Sequence, residues 1–442
     1  MLAGTSTIWQ VKPGLQGTAA NLVCFSGECT QPACLGARPN LGGSHAGLKF
    51  TPRGPPAIVT RSASSFLLFP GWTSLFPGTN RSLLHVTTCS DALHDIGWTG
   101  RHFVSSGNGS APETWAEAAL DQSPSEVAAS GSWRHATSCV PTGTGAALRC
   151  IGYDLHCQPD AAPCAPSTTG YINTTTYELD SATGKVRASD GGLASYTFSA
   201  AIEPNHVENC TGSECPRYTY NAYPGAGLAH RVRSGGFMQL VGATMAAASR
   251  GAMFAMTSTT GSAWRSLSEV PEGDCPGLGE NDWTYQSDNV TMLAVFRNAG
   301  PAGTLCASRS TTEGRAWSVA KMLQLPQPNN VLPRLVTLAN GLITLSTGRI
   351  GLFVYVSADN ASSWHSLDVS LNHNIQTASI GDRYSQAFVR GAGDSTMSTS
   401  YTSLVHYDGT NIVQVCYDRL ANGWDPVSSR RRSGFLPEAA VG

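Results

Sequence analysis

Arginine, tyrosine and acidic side chains stand at a few places in this sequence where the flanking residues read as strands or turns. Arg53 lies in Phe50-Thr-Pro-Arg53-Gly-Pro-Pro-Ala-Ile-Val59, just ahead of the apolar run Ser65-Phe-Leu-Leu-Phe69. Arg297 closes Met292-Leu-Ala-Val-Phe-Arg297, and Arg349 ends Ser346-Thr-Gly-Arg349. Arginine is always charged, and its planar fork meets a carboxylate through paired hydrogen bonds. Glu280-Asn-Asp282 sets two carboxylic acids on neighbouring positions, and Arg297 follows Glu280 by 17 residues. Asp91, His94 and Asp95 share the segment Cys89-Ser-Asp91-Ala-Leu-His94-Asp95, and Tyr401 sits in Ser400-Tyr401-Thr402-Ser403-Leu404. Acids of this kind move protons, and a phenol beside a base can act as a nucleophile. Each residue also has a structural reading: a surface ion pair for an arginine, a core cap for the tyrosine, a turn cap for an aspartate.

What could position such residues is a repeat. Ser357-Ala-Asp359-Asn-Ala-Ser-Ser-Trp364 fits the pattern Ser-x-Asp-x-Gly-x-x-Trp at Ser, Asp and Trp, with Ala361 replacing Gly. Ser310-Thr-Thr-Glu-Gly314-Arg-Ala-Trp317 and Thr257-Ser-Thr-Thr-Gly261-Ser-Ala-Trp264 are weaker copies. A fourth, Ser106-Gly-Asn108-Gly-Ser-Ala-Pro-Glu-Thr-Trp115, carries two extra residues. The box tryptophans Trp264, Trp317 and Trp364 are spaced by 53 and then 47 residues, the length of one four-stranded propeller blade and its loop. In such a box a short polar side chain and an Asp bond to the backbone of a hairpin turn, Gly supplies positive φ, and Trp plugs between strands. Leu335-Val-Thr-Leu-Ala-Asn340-Gly341-Leu-Ile-Thr-Leu345 adds a strand, an Asn-Gly turn and a strand. The Asp408-Gly409 pair between Ser403 and Tyr417 repeats that arrangement.

On these boxes and residues the chain resembles the sialidase (neuraminidase) superfamily of Asp-box (BNR) repeat β-propellers. The resemblance implies an all-β fold, a six-bladed β-propeller of four-stranded antiparallel sheets, over roughly residues 46–425. Residues 1–45 then form an irregular extension and 426–442 a tail. It also implies that Arg53, Arg297 and Arg349 hold the carboxylate of a terminal sialic acid. Arg53-Gly-Pro stands where the family has Arg-Ile-Pro. Tyr401 is the implied nucleophile, Glu280 the base that activates it (with Asp282 as the other acid at hand), and Asp95 the general acid/base. A tyrosine suits this sugar because its anomeric carbon already bears a carboxylate, which would repel a carboxylate nucleophile. The activity implied is that of an exo-α-sialidase, a retaining glycoside hydrolase acting on sialylated glycans without cofactor or catalytic metal. The rival reading is a catalytically inactive propeller that binds glycan or protein, because a fold by itself argues for no activity.

Composition agrees with many short strands. Hydrophobic residues make up 41% and charged residues 13%, with 47 Gly and 25 Pro among 442 residues. A core of that size needs no metal or disulfide staple. The net charge of −2 supplies no field for nucleic acid or an anionic membrane. No apolar run reaches the length that spans a bilayer. Thirteen cysteines and sequons at Asn80, Asn108, Asn173, Asn209, Asn289 and Asn360 favour a secreted or cell-surface protein. Residues 1–10 lack the basic start and apolar stretch of a signal peptide. Disulfide pairing and oligomeric state are not legible.

Overall fold

The computed structural model describes residues 5–10, 22–28, 51–52, 67–79, 81–89, 99–105, 115–117, 138–143, 145–151, 169–180, 182–198, 222–223, 227–245, 250–298, 304–327, 331–349, 351–376, 383–389, 400–406 and 412–418. The described residues are all-β apart from two short helices. The first strands are β1 (Thr5–Gln10), β2 (Leu22–Glu28) and β3 (Thr51–Pro52). An antiparallel sheet follows, made of β4 (Leu67–Leu75), β5 (Ser82–Cys89), β6 (Thr99–Ser105) and β7 (Trp115–Glu117). Next come β8 (Ser138–Pro141), β9 (Ala147–Ile151), β10 (Thr169–Leu179) and β11 (Val186–Thr197). They are followed by β12 (Ala222–Tyr223), β13 (His230–Arg231), β14 (Phe237–Met245), β15 (Arg250–Ser258) and β16 (Ala263–Val270).

Two more four-stranded sheets carry the residues of chemical interest. One holds β17 (Asn281–Tyr285), β18 (Met292–Arg297), β19 (Leu305–Ser310) and β20 (Lys321–Met322). The other holds β21 (Arg334–Thr337), β22 (Ile343–Gly348), β23 (Leu352–Ser357) and β24 (His365–Asp368). Helices α1 (Val369–Gln376) and α2 (Gln386–Val389) lead to β25 (Thr402–His406) and β26 (Ile412–Asp418).

Two sheets depart from the expected four strands. Strands β8 to β16 form one nine-stranded sheet, because β11 and β16 pair in parallel through Ser195↔Ala263, Tyr196↔Trp264 and Thr197↔Arg265. Two outer edges that would otherwise show unpaired N–H and C=O groups satisfy each other there. The other is a five-stranded sheet ordered β25-β26-β2-β1-β3. Strands β1 and β2 lie within the stretch that the sequence reads as irregular. In the structure β2 pairs with β26 from Leu22↔Asp418 to Glu28↔Ile412.

Alternation explains the packing. On β18 the residues Met292, Ala294 and Phe296 face a core shared with Met238, Leu240 and Met253 of the preceding sheet. Leu293 and Val295 face the opposite core, against Leu335, Ile343 and Leu345. Strand β23 divides likewise, with Phe353 and Tyr355 in that core and Leu352, Val354 and Val356 packed with Leu404, Val415 and Tyr417. Such strands are buried on both faces and read as continuous apolar runs with a period of two. Consecutive sheets therefore stack face to face, and β25 and β26 lie against β4.

The turns of the repeat are built as their chemistry demands. Ser357 Oγ accepts from the Ala361 N–H at 2.9 Å and donates to Asp359 Oδ1 at 2.8 Å. Asp359 Oδ1 in turn accepts from the Ser363 N–H at 2.8 Å. Ala361 takes φ 65° where the pattern calls for glycine, a strain the neighbouring bonds must hold. In the copy at Trp317, Ser310 Oγ accepts from the Gly314 N–H at 2.9 Å, and Trp317 Nε1 donates to Gly314 O at 3.1 Å. In the third copy the polar role falls to Ser258 rather than Thr257. Ser258 Oγ accepts from the Gly261 N–H at 2.9 Å, while Thr257 Oγ1 donates to Phe237 O. Residues 106–114 of the fourth copy lie outside the described residues.

Candidate active site

Glu280 and Arg297 are brought side by side by the ladder of β17 and β18. The Arg297 N–H donates to Glu280 O at 2.7 Å, and the Gly279 N–H donates to Arg297 O at 2.8 Å. The two side chains thus share a face, and Arg297 Nη1 reaches Glu280 Oε2 at 3.1 Å. The Leu332 N–H, just ahead of β21, donates to the same oxygen at 2.9 Å. A disulfide, Cys275–Cys306, ties the segment leading into Glu280 to β19.

Tyr401 arrives from the chain's far end. It precedes β25, is 8% exposed, and donates its hydroxyl to Glu280 Oε1 at 2.6 Å. Arg297 Nη1 also lies 3.4 Å from the phenol oxygen. Arg349, in the turn after β22, holds its guanidinium carbon 5.4 Å from the centre of the Tyr401 ring. That approach depends on a glycine. A Cβ at Gly348 would come within 2.6 Å of Ser400 O and 2.7 Å of Ser400 Cβ. The turn bearing Arg349 can therefore pack directly on the segment bearing Tyr401. Both segments are strained, with Arg349 at φ 61° and Ser400 at φ 63°. Non-glycine residues are held in this region where surrounding structure fixes them, and such positions gather at functional sites. Ser346 Oγ and Thr402 Oγ1 join the strands beneath at 2.7 Å.

The electrostatics are those of a guarded phenol. Burial pushes Tyr401 well above the usual tyrosine range and the charge of Glu280 adds to it, whereas Arg349 and Arg297 pull the other way. Burial alone would lower Arg297, but Glu280 and Tyr401 outweigh it and raise the guanidinium. Tyr417 is also pushed up by burial. A phenol that ionises near pH ~10 in the unfolded chain, and later in the fold, keeps its proton longer in the native state. Stability is then complete below that pH and is lost as pH climbs through it. The thermal midpoint is expected to fall above about pH 10, and less steeply in Tyr401→Phe. Equal slopes in both proteins would remove Tyr401 as a source of the effect.

Asp282 is bonded to other groups. It is 1% exposed, its Oδ1 lies 2.6 Å from His230 Nε2 and accepts the Trp283 N–H at 2.9 Å, and its Oδ2 accepts the Leu335 N–H at 2.8 Å. Of the residues singled out from the sequence, the structure brings together Glu280, Arg297, Arg349 and Tyr401. Arg53 and Asp95 lie outside the described residues, as do Asp91 and His94. Sequence reasoning did not find His230, Arg334 or the Leu332 N–H. A histidine in Ala229-His230-Arg231 and an arginine opening a short strand carry no motif.

The arrangement can hold an anion between two guanidiniums and pass a proton from a phenol to a carboxylate. No described helix is long and apolar enough to cross a membrane. The two disulfides among the described residues, Cys139–Cys150 and Cys275–Cys306, fit an oxidising compartment.

No curated protein matches the chain by sequence. A protein of unknown function from Dyadobacter fermentans DSM 18053 aligns over 81% of this chain and 96% of its own, at 14% identity and a TM-score of 0.50. Trypanosoma rangeli sialidase aligns over 81% of this chain and 56% of its own, at 12% identity and a TM-score of 0.48. The NanB sialidase from Streptococcus pneumoniae aligns over 83% of this chain and 67% of its own, at 12% identity and a TM-score of 0.47. The chain thus spans little more than half the length of the trypanosomal enzyme, and identities this low speak of fold alone. A family model described as a BNR repeat-like domain matches residues 187–412, just over half of the chain. With its stacked sheets and repeated Ser–Gly–Trp turns, the chain belongs to the BNR repeat-like domain family.

Proposed function

We propose that this chain is an exo-α-sialidase that releases terminal sialic or related nonulosonic acids from glycoconjugates with retention of configuration. The observation that carries the reading is the 2.6 Å hydrogen bond from Tyr401 to Glu280, with Arg297 on both groups and Arg349 against the phenol ring. A neutral sugar gives no reason to gather two guanidiniums about a phenol, whereas a carboxylate does.

In this mechanism Arg53, Arg297 and Arg349 bind the substrate carboxylate. Glu280 takes the Tyr401 proton as the phenol oxygen bonds to the anomeric carbon, and Asp95 protonates the departing glycosidic oxygen. Asp95 then takes a proton from water as its oxygen attacks the same carbon. Tyr401 leaves and recovers its proton from Glu280. The scaffold in this reading is a six-bladed propeller built from residues 46–425 together with the N-terminal strands β1 and β2, with the nine-stranded sheet counted as two blades joined at β11 and β16. Strands β1 and β2 complete the last blade beside β25 and β26. We place the protein outside the cell or on its surface.

The test is release of a fluorogenic leaving group from an α-sialoside, run beside the matching α-L-arabinofuranoside and a sialoside whose carboxylate is methylated. Cleavage of the free acid alone is expected. Cleavage of the neutral sugar, or equal turnover of the methyl ester, would overturn the assignment. Binding of sialoside without turnover would leave a glycan-binding propeller.

A further inference from the structure

Arg334 is the most deeply buried of the described arginines near the site, at 3% exposure. Its Nε and Nη1 are buried without a hydrogen-bond partner. Taking a guanidinium out of water is expensive, and such a group is retained where opposite charge compensates it. The chain around it shows where that charge lies. The Leu332 N–H is fixed to Glu280 and the Leu335 N–H to Asp282, so Arg334 sits between two attachments to the two acids. Burial holds the Arg334 guanidinium below the usual arginine range, and the charges of Asp282, Glu280 and Tyr401 oppose that shift. Those groups have further partners: Arg297 from β18 on Glu280, Arg349 over the Tyr401 ring, and His230 from β13 on Asp282. Glu280 lies one residue ahead of β17 and Asp282 within it, and two like charges held this close are favoured by a cation nearby.

We propose that Arg334 is a positioning residue, a buried counter-charge shared by Glu280 and Asp282 that keeps Glu280 ionised beneath the Tyr401 hydroxyl. The inference rests on the reading of Tyr401 and Glu280 as nucleophile and base. Arg334 touches no substrate in this scheme. It acts through Glu280, which must be a carboxylate to take the phenol proton in a site largely closed to water. Removing the cation raises the proton affinity of Glu280, so the acid limb of the pH profile must move to higher pH.

Arg334→Met and Arg334→Lys test this. In the methionine variant kcat on an α-sialoside is expected to fall about a hundredfold with little change in KM. The acid limb of kcat/KM is expected to rise by about one pH unit. Lysine should return the limb toward its original position. A limb that stays in place in Arg334→Met, whatever the loss of rate, would overturn the proposal.

A second measurement is independent of turnover. Urea midpoints are compared for Arg334→Met in the native background and in Glu280→Gln/Asp282→Asn. The loss of midpoint caused by Arg334→Met should largely disappear once both acids are neutral. An equal loss in the two backgrounds means that the guanidinium is only packing, and the proposal fails. Should Arg334→Met not fold, recovery of folding in the triple variant supports the counter-charge role, and continued misfolding overturns it. If the wild type cleaves no sialoside, the proposed activity falls, and the urea comparison alone decides whether Arg334 is the counter-charge of these acids.

Discussion

Tyr401→Phe is expected to leave the protein folded and to lower kcat on an α-sialoside by on the order of 10³ or more. The substitution removes one oxygen and keeps the ring that packs beneath Arg349, so the apolar contacts of an 8% exposed side chain survive. Glu280 retains two of its three partners, Arg297 and the Leu332 N–H. What disappears is the atom that would bond to the anomeric carbon. A fluorogenic assay measures the rate and circular dichroism checks the fold. KM should change little, since the arginines proposed to bind the carboxylate are untouched. Turnover within tenfold of the wild type would remove the tyrosyl intermediate from the mechanism.

Glu280→Gln should lower kcat by about 10²- to 10⁴-fold, the usual worth of a positioned base. The result separates base catalysis from a simple effect on acidity. The charge of Glu280 raises the phenol's hold on its proton, so a neutral glutamine makes Tyr401 the stronger acid. If acidity governed the rate, the variant would speed up. Because an amide cannot take the proton in the transition state, the rate is expected to fall, and the acid limb that Glu280 sets should vanish from the pH profile. Asp282→Asn is the control. Its oxygens hold His230 and the N–H groups of Trp283 and Leu335, so it should cost more in urea midpoint than in kcat. A larger loss of kcat in Asp282→Asn than in Glu280→Gln would exchange the two roles.

The repeats were legible because their chemistry is local. A serine hydroxyl reaches an N–H four residues on, as Ser310 does to Gly314 and Ser357 to Ala361, and both ends lie in one stretch of sequence. Where the turn is one residue tighter, the pattern misled: Thr257 occupies the expected position and Ser258 makes the bond. The strands were legible for a similar reason, since an apolar run such as Met292–Arg297 states that both of its faces are buried. The joining of β11 to β16 was not, because a parallel pairing of two distant edges leaves no mark on either strand.

By itself the sequence determined which strands are apolar on both faces, where the hairpin turns fall, and which arginines, acids and tyrosine stand at strand ends. Only the tertiary structure decided that Glu280, 121 residues from Tyr401, accepts its hydrogen bond, whereas Asp282 is taken up by His230 and β21. It alone revealed Arg334 buried beside them, and Gly348 as the gap that admits Ser400. The physical reason is range. Turn bonds and strand periodicity act within a few residues and so are written in order along the chain. An ion pair or a phenol–carboxylate bond needs only a short distance in space, which here is set by the face-to-face stacking of whole sheets.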